Sequence, residues 1–180
     1  MEFTSHELYH VYNRGNNQQP IFYERENYLF FIKKMRRHLT NCSEVLAYCL
    51  MPNHFHWLLF VNDTEDSNSR HPLNQKIGTL FSSYTQSINK RYDRTGSLFQ
   101  QKTKSIHIDS KKQAITTFFY IHQNPIRAQL VGEMADWPYS SVPDYMGKRR
   151  GTLVNKECAY SLLDLDSDSV TNKSKKDLDF

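Results

Sequence analysis

Two histidines and a distant tyrosine carry the clearest chemical potential in this chain. Asn53-His54-Phe55-His56-Trp57 sets two imidazoles at alternate positions. On a β-strand, side chains two apart point to the same side, so His54 and His56 share a face. That arrangement suits one divalent metal ion, although such a pair is more commonly two hydrogen-bonded histidines beside a core. The tyrosine lies in the segment Ala114 to Asn124. Placed at helical intervals, Ala114, Ile115, Phe118, Phe119 and Ile121 fall within one arc of roughly 160°, the face expected against a sheet. Tyr120 lies almost opposite the centre of that arc, and Asn124, one turn later, sits beside it. Core packing therefore does not account for Tyr120, though an ordinary surface tyrosine would look the same. Asn124 has a second reading too, because asparagine commonly ends helices. His122 falls inside the apolar arc and reads either as structural or as a residue that supports the site from behind.

The elements that must position these groups follow from periodicity and turn residues. Leu8 to Asn13 reads as a strand closed by Arg14-Gly15. Tyr28, Phe31, Ile32, Met35 and Leu39 mark one face of an amphipathic helix. Val45 to Met51 and His54 to Val61 form strands around a Pro52-Asn53 turn, which predicts an antiparallel hairpin. A polar loop, Asn62 to Pro72, leads to a second helix marked by Leu73, Ile77, Leu80, Phe81, Tyr84 and Ile88. Gly96 to Asp109 reads as a fourth strand. Lys102 and Lys104 on one side suit it to a sheet edge or a ligand groove. A third helix is expected over Ser110 to Gln123 and to end before Pro125, because the residue preceding proline avoids the α region. The order β-α-β-β-α-β-α predicts an α+β protein, a small antiparallel sheet with helices packed on it. The predicted domain covers residues 1–150. Residues 151–180 are expected to be a polar, partly disordered extension, loosest from Asp164 onward.

The bulk composition sets outer bounds. The chain has 180 residues, 38% hydrophobic and 23% charged, which is enough apolar matter for one core. A formal net charge of +4 permits a nucleic-acid partner without requiring one. The three cysteines, Cys42, Cys49 and Cys158, have neither CxxC spacing nor an even count, which argues against a disulfide framework or a cysteine zinc site. Met1 to His10 lacks the apolar stretch of a signal peptide. No apolar run is long enough to cross a membrane. A reduced, cytoplasmic protein is the expectation.

The motifs also resemble a known family. Leu50-Met51-Pro52-Asn53-His54-Phe55-His56 is similar to the HUH segment of the single-tyrosine transposases, in the branch associated with repeated extragenic palindromes (REP) of bacteria. Tyr120-Ile121-His122-Gln123-Asn124-Pro125-Ile126-Arg127-Ala128 resembles the catalytic-helix signature of that branch. Tyr12-Asn13-Arg14-Gly15, Gly96-Ser97-Leu98-Phe99-Gln100 and Trp137-Pro138-Tyr139-Ser140-Ser141 match in the same order, so the likeness runs over about residues 7 to 145. It implies a ferredoxin-like HUH endonuclease fold, with Tyr120 as nucleophile and His54, His56 and Asn124 as ligands of Mg²⁺ or Mn²⁺. It further implies single-stranded or hairpin DNA as partner, a monomer or homodimer, and a place in the bacterial cytoplasm near the nucleoid. One stretch departs from the pattern. Where the branch usually has two arginines, an aromatic residue and a lysine, this chain has Gln101, Lys102, Thr103 and Lys104. Lysine keeps the charge but loses the bidentate fork of arginine, and threonine cannot stack on a base. DNA grip and sequence preference are the properties this touches.

These groups would supply what phosphodiester cleavage needs. A tyrosine hydroxyl, with an ordinary pKa near 10, is phenolate in only about one molecule in a thousand at neutral pH. A metal ion would relieve the charge on the phosphate. Attack by Tyr120 would leave a 5′-phosphotyrosine and a free 3′-hydroxyl, and a second 3′-hydroxyl could reverse the step as strand transfer. Arg14, Lys102, Lys104 and Arg127 are the expected phosphate contacts, while the run Lys148-Arg149-Arg150 is more simply a solvated surface. Three other readings compete. One is a domesticated protein that binds DNA hairpins without cutting. Another is a metal-dependent hydrolase that activates water with His54 and His56. The third is an RNA-binding domain, which would require exposed aromatics on a sheet face.

Overall fold

Strand β1 (Leu8–Arg14) occupies an inner position in a four-stranded antiparallel sheet of order β2-β3-β1-β4. It pairs with β3 (His54–Val61) and with β4 (Lys104–Ile108), and β3 pairs in turn with β2 (Ser43–Met51). The computed structural model describes residues 1–63 and 71–174, and most of the expected polar loop at 62–72 lies outside the described residues. The β2–β3 hairpin forms as expected around Pro52-Asn53, with Met51 opposite His54. Glycine is required just past β1. A Cβ on Gly15 would collide with the Gln19 carbonyl oxygen, and the Gly15 N–H donates to the Asn53 carbonyl. The end of β1 is thereby tied to the turn that precedes His54.

Both faces of the sheet are covered, and strand alternation decides what each face carries. Helix α1 (Arg25–Leu39) begins with a reciprocal capping arrangement between Glu24 and Asn27. Together with α2 (Leu73–Arg91) it covers the face bearing Phe55 and Trp57. There Phe31, Phe55, Trp57, Phe81, Tyr84 and Phe99 form one aromatic cluster. The opposite face bears His10, Tyr12, His54 and His56, and lies under α3 (Lys111–Arg127). A sheet covered on both sides offers no open aromatic face of the kind the RNA-binding reading requires.

Four sequence expectations are corrected. First, the fourth strand is shorter than Gly96 to Asp109. Residues 96–103 instead run alongside the end of β1, held by Asn16 N–H to Leu98 O and Gln100 N–H to Arg14 O. Second, α3 does not end before Pro125 but runs through it to Arg127. Proline removes the N–H that would serve the Ile121 carbonyl. The Asn124 side-chain amide donates to that carbonyl (3.3 Å) and to the Tyr120 carbonyl (2.8 Å), so the helix survives.

Third, the apolar arc of α3 is divided between the sheet and the C-terminal part of the chain, where Phe118 packs edge-on against Tyr145. Tyr120 consequently looks across the sheet at His56 rather than away from it. Fourth, the segment after residue 150 is not a loose extension over its described length. Val154 bridges to Val45. Helix α5 (Lys156–Leu163) buries Ala159 and Leu163, and α6 (Ser167–Ser174) follows with Val170 buried. Residues 175–180 lie outside the described residues. The fourth strand does lie at the sheet edge, and Ile106 on it is exposed.

The basic run after the core has a structural member. Arg149 forms a bidentate pair with Asp144 of the short helix α4 (Val142–Tyr145), through Nε (2.8 Å) and Nη2 (2.6 Å). It also donates to the Pro138 and Ser140 carbonyls and to the Tyr48 hydroxyl. Asp144 is 1% exposed, so losing its partner would strand a buried carboxylate. Arg149→Ala is expected to cost about 3 kcal/mol in urea denaturation. Exposed Lys148→Ala should change stability by less than about 0.5 kcal/mol. Equal, small effects would show that this run is surface charge only.

Candidate active site

The register between β1 and β3 sets the floor of the site. Tyr12 lies opposite His56, and Arg14 opposite His54. On the other side of β1, Lys104 lies opposite Tyr12. Helix α3 crosses above and brings Tyr120 and Asn124 down toward the two histidines. The result is a cavity of about 470 Å³ lined by Tyr12, Asn13, Arg14, His54, His56, Gln100, Lys102, Lys104, Tyr120 and Asn124. Of the eight residues singled out from the sequence, seven line this cavity. The eighth, Arg127, lies just outside, with its guanidinium 5.4 Å from the Tyr120 ring centroid, close enough for a cation–π contact.

The imidazoles are held at one end and open at the other. His54 and His56 lie edge to face, with ring centroids 5.2 Å apart. His54 Nδ1 is 2.7 Å from Asn53 Oδ1, and Asn53 Nδ2 is directed at the Gln18 carbonyl. His56 Nδ1 is 2.9 Å from His10 Nε2. The Asn124 side chain lies near enough to His54 to influence its titration. Burial, and then the neighbouring His10, His54 and Arg14 charges, push the His56 pKa down to about 2. Burial alone brings His10 to about 4. His54 is lowered by burial and by Arg14, partly offset by the nearby Asn124 amide. The three rings are therefore neutral at physiological pH, the protonation state in which imidazole binds a metal.

Tyr120 presents its ring edge-on to His56 and His10, at centroid distances of 5.6 and 6.1 Å. Asn124 is oriented by its own helix. Its amide nitrogen is engaged with the Tyr120 and Ile121 carbonyls, which leaves its oxygen as the group free to serve the cavity. Two neutral imidazoles and one amide oxygen make a chemically reasonable donor set for a divalent ion completed by phosphate and water. Among the described residues, no group of three or more His, Cys, Asp or Glu side chains is placed to hold a metal. Any such site therefore depends on the amide. The expected DNA contacts Arg14, Lys102 and Lys104 stand on the cavity wall.

Sequence reading missed His10, Tyr12, Asn13 and Gln100. The alternation in Leu8 to Arg14 puts His10, Tyr12 and Arg14 on one face, but only the strand pairing shows that this is the face of His54 and His56. Thr103, the departure from the family pattern, has a local role: its hydroxyl accepts from Asn13 Nδ2 at 2.8 Å. His122 is buried as expected and bonds Ser141 Oγ at 2.7 Å.

Fold and site together define an α+β protein with a histidine–tyrosine cavity between sheet and helix. Comparison with known proteins narrows this further. No family model matches the chain. A protein of Haemophilus influenzae, provisionally named a REP-associated tyrosine transposase, is 25% identical over 107 residues. The match covers 54% of this chain and 58% of that protein, so it spans little more than half of the relative's length. The fold is similar to that of a REP-associated tyrosine transposase bound to a REP hairpin. The TM-score is 0.61 at 16% identity, covering 86% of this chain and 92% of the other. The resemblance read from the motifs is borne out: the chain is similar to REP-associated tyrosine transposases, to one in sequence and to another in fold. Among the described residues, no helix is long and apolar enough to cross a membrane.

The buried rings predict a pH response. Histidines in the unfolded chain titrate near pH 6.5, whereas His10 and His56 resist protonation when folded. Their contribution to stability is thus complete above pH 6.5 and declines as pH falls toward 4, by at most about 1.4 kcal/mol per pH unit for each ring. Ring ¹⁵N spectra of the metal-free protein should still show both imidazoles neutral at pH 5. A protonated pattern for either at that pH would contradict the burial seen here.

Proposed function

We propose that this protein is a metal-dependent endonuclease and strand transferase acting on single-stranded DNA at palindromic hairpins, with Tyr120 as nucleophile. The observation that carries the reading is the meeting of Tyr120 and Asn124 from α3 with His54 and His56 from β3, in a cavity walled by Arg14, Lys102 and Lys104. The kinship with REP-associated tyrosine transposases supports it, as does the hairpin bound to the structural neighbour.

His54, His56 and Asn124 would hold Mg²⁺ or Mn²⁺, which when bound polarises a phosphoryl oxygen of the scissile phosphate. Arg14, Lys102 and Lys104 draw the backbone phosphates into the cavity and offset their charge. The Tyr120 hydroxyl oxygen attacks phosphorus and its proton leaves to solvent. The bond from phosphorus to the 3′-oxygen breaks, and that oxygen takes up a proton. The products are a 5′-phosphotyrosine and a 3′-hydroxyl. Attack by another 3′-hydroxyl on the phosphotyrosine restores Tyr120 and completes strand transfer, with the number of ester bonds unchanged. Arg127, over the Tyr120 ring, would help hold that ring in place before attack and while it carries the phosphate.

Covalent trapping tests this. With hairpin-bearing single-stranded DNA and Mn²⁺, the wild type should give an adduct stable on denaturing gels, abolished by chelator and by Tyr120→Phe. Cleavage without an adduct, unchanged in Tyr120→Phe, would indicate a hydrolase that activates water. Tight hairpin binding with neither product would indicate a binding protein that does not cut.

A further inference from the structure

His10 is buried and polar, and the cleavage chemistry assigns it no part. Its ring lies nearly coplanar with that of His56, edge to edge, with centroids 5.1 Å apart and planes 28° from parallel. Its Nε2 lies 2.9 Å from His56 Nδ1. Two neutral imidazoles that share one hydrogen bond must divide the roles of donor and acceptor. If His10 donated, His56 would carry its hydrogen on Nε2 and have no lone pair there. If His56 donates from Nδ1, its Nε2 lone pair is free. His54 shows the second arrangement. Its Nδ1 meets the Asn53 amide oxygen, which can only accept, so the hydrogen of His54 is on Nδ1. Its Nε2 is then left unprotonated.

We propose that His10 is a positioning residue that accepts a hydrogen bond from His56 Nδ1–H and holds His56 in the tautomer whose Nε2 lone pair is free for the cavity. The two imidazoles of the HxH pair are then matched, each fixed through Nδ1, one by a neighbouring amide and the other by a histidine on the adjacent strand. A ring partner does more than choose the tautomer. Hydrogen-bonded nearly in the plane of His56, and itself held against Tyr12 at a centroid distance of 4.9 Å, it also restricts rotation of the ligand ring. Such outer partners typically govern the affinity of a metal site. The consequence for metal binding rests on the function proposed above, whereas the direction of the hydrogen bond does not.

The experiment has two readouts. Long-range ¹H–¹⁵N spectra of the metal-free protein, with ring-labelled histidine, report which nitrogen of His56 bears hydrogen. Mn²⁺ titration followed by electron paramagnetic resonance reports affinity. The wild type should show His56 protonated at Nδ1. His10→Phe, which keeps a ring but removes the acceptor, should lose that pattern and bind Mn²⁺ about 10–100-fold more weakly. His10→Gln, which offers a carbonyl acceptor, should recover most of the affinity. A wild-type spectrum with hydrogen on His56 Nε2, or unchanged Mn²⁺ affinity in a folded His10→Phe protein, would overturn the proposal. If the wild type binds Mn²⁺ no better than His56→Ala, the metal reading itself fails, and the wild-type spectrum alone decides the role of His10.

Discussion

The register between β1 and β3 is the constraint on which the site depends. Antiparallel pairing with Tyr12 opposite His56 and Arg14 opposite His54 puts a cation, two imidazoles and the buried His10 on one face. A slip of one residue would turn that set toward α1 and α2 and bring Val11 to the cavity face. Several features oppose such a slip. The other face of β3 carries Phe55 and Trp57, both fully buried in the aromatic cluster, so a slip would drive imidazoles into an apolar layer. The Gly15 N–H to Asn53 O bond ties the end of β1 to the hairpin turn next to His54. Core packing and site geometry are thus two consequences of one pairing, with the apolar side of the sheet specifying where the polar side stands.

A second dependence runs through α3. Proline in the last turn of a helix usually weakens it by leaving a carbonyl without a donor. Here that carbonyl, on Ile121, is served by the side-chain amide of Asn124, the residue just before the proline. The exchange fixes the amide nitrogen toward the helix and presents the oxygen outward. Asparagine is short enough to reach back to its own helix while its side chain stays beside His54. A feature that reads as a helix terminator in sequence therefore orients a functional group instead. The helix gains one more turn, and Arg127 on that turn comes to lie over the Tyr120 ring.

What was legible in the sequence follows the range of each interaction. The hairpin at Pro52-Asn53 and the amphipathic helices were legible because local turn residues and periodicity carry them. So was the grouping of His54 with His56, which strand alternation alone dictates. Tyr120 and Asn124 were legible as a polar pair on a helix, but their destination was not. Periodicity turned them away from the sheet, because it could not foresee that Phe118 would pack against Tyr145. His10 was missed for a related reason: a histidine in a strand gains meaning only from the strand beside it. The packing of residues 151–174 was misread from composition, since a few apolar anchors, Leu153, Val154, Ala159, Leu163 and Val170, suffice to dock a polar segment on an existing core.

The distribution of charge adds what a net value could not. A formal charge of +4 over 180 residues is unremarkable. Among the described residues, however, the cavity lining has three cationic side chains, Arg14, Lys102 and Lys104, and no carboxylate. Its imidazoles are kept neutral by burial. The local field is therefore positive without a counter-ion from the protein, a condition that favours an anionic ligand and is costly to leave unmatched in a partly enclosed space. A carboxylate in the donor set would bind a metal more tightly but would repel phosphate and reduce that field. An amide oxygen supplies a ligand without the charge. An asparagine at this place, where many metal sites have aspartate or glutamate, thus suits the proposed function, in which the site would admit both a divalent cation and a polyanion, and the neutrality of His10 behind His56 extends the same logic one layer deeper.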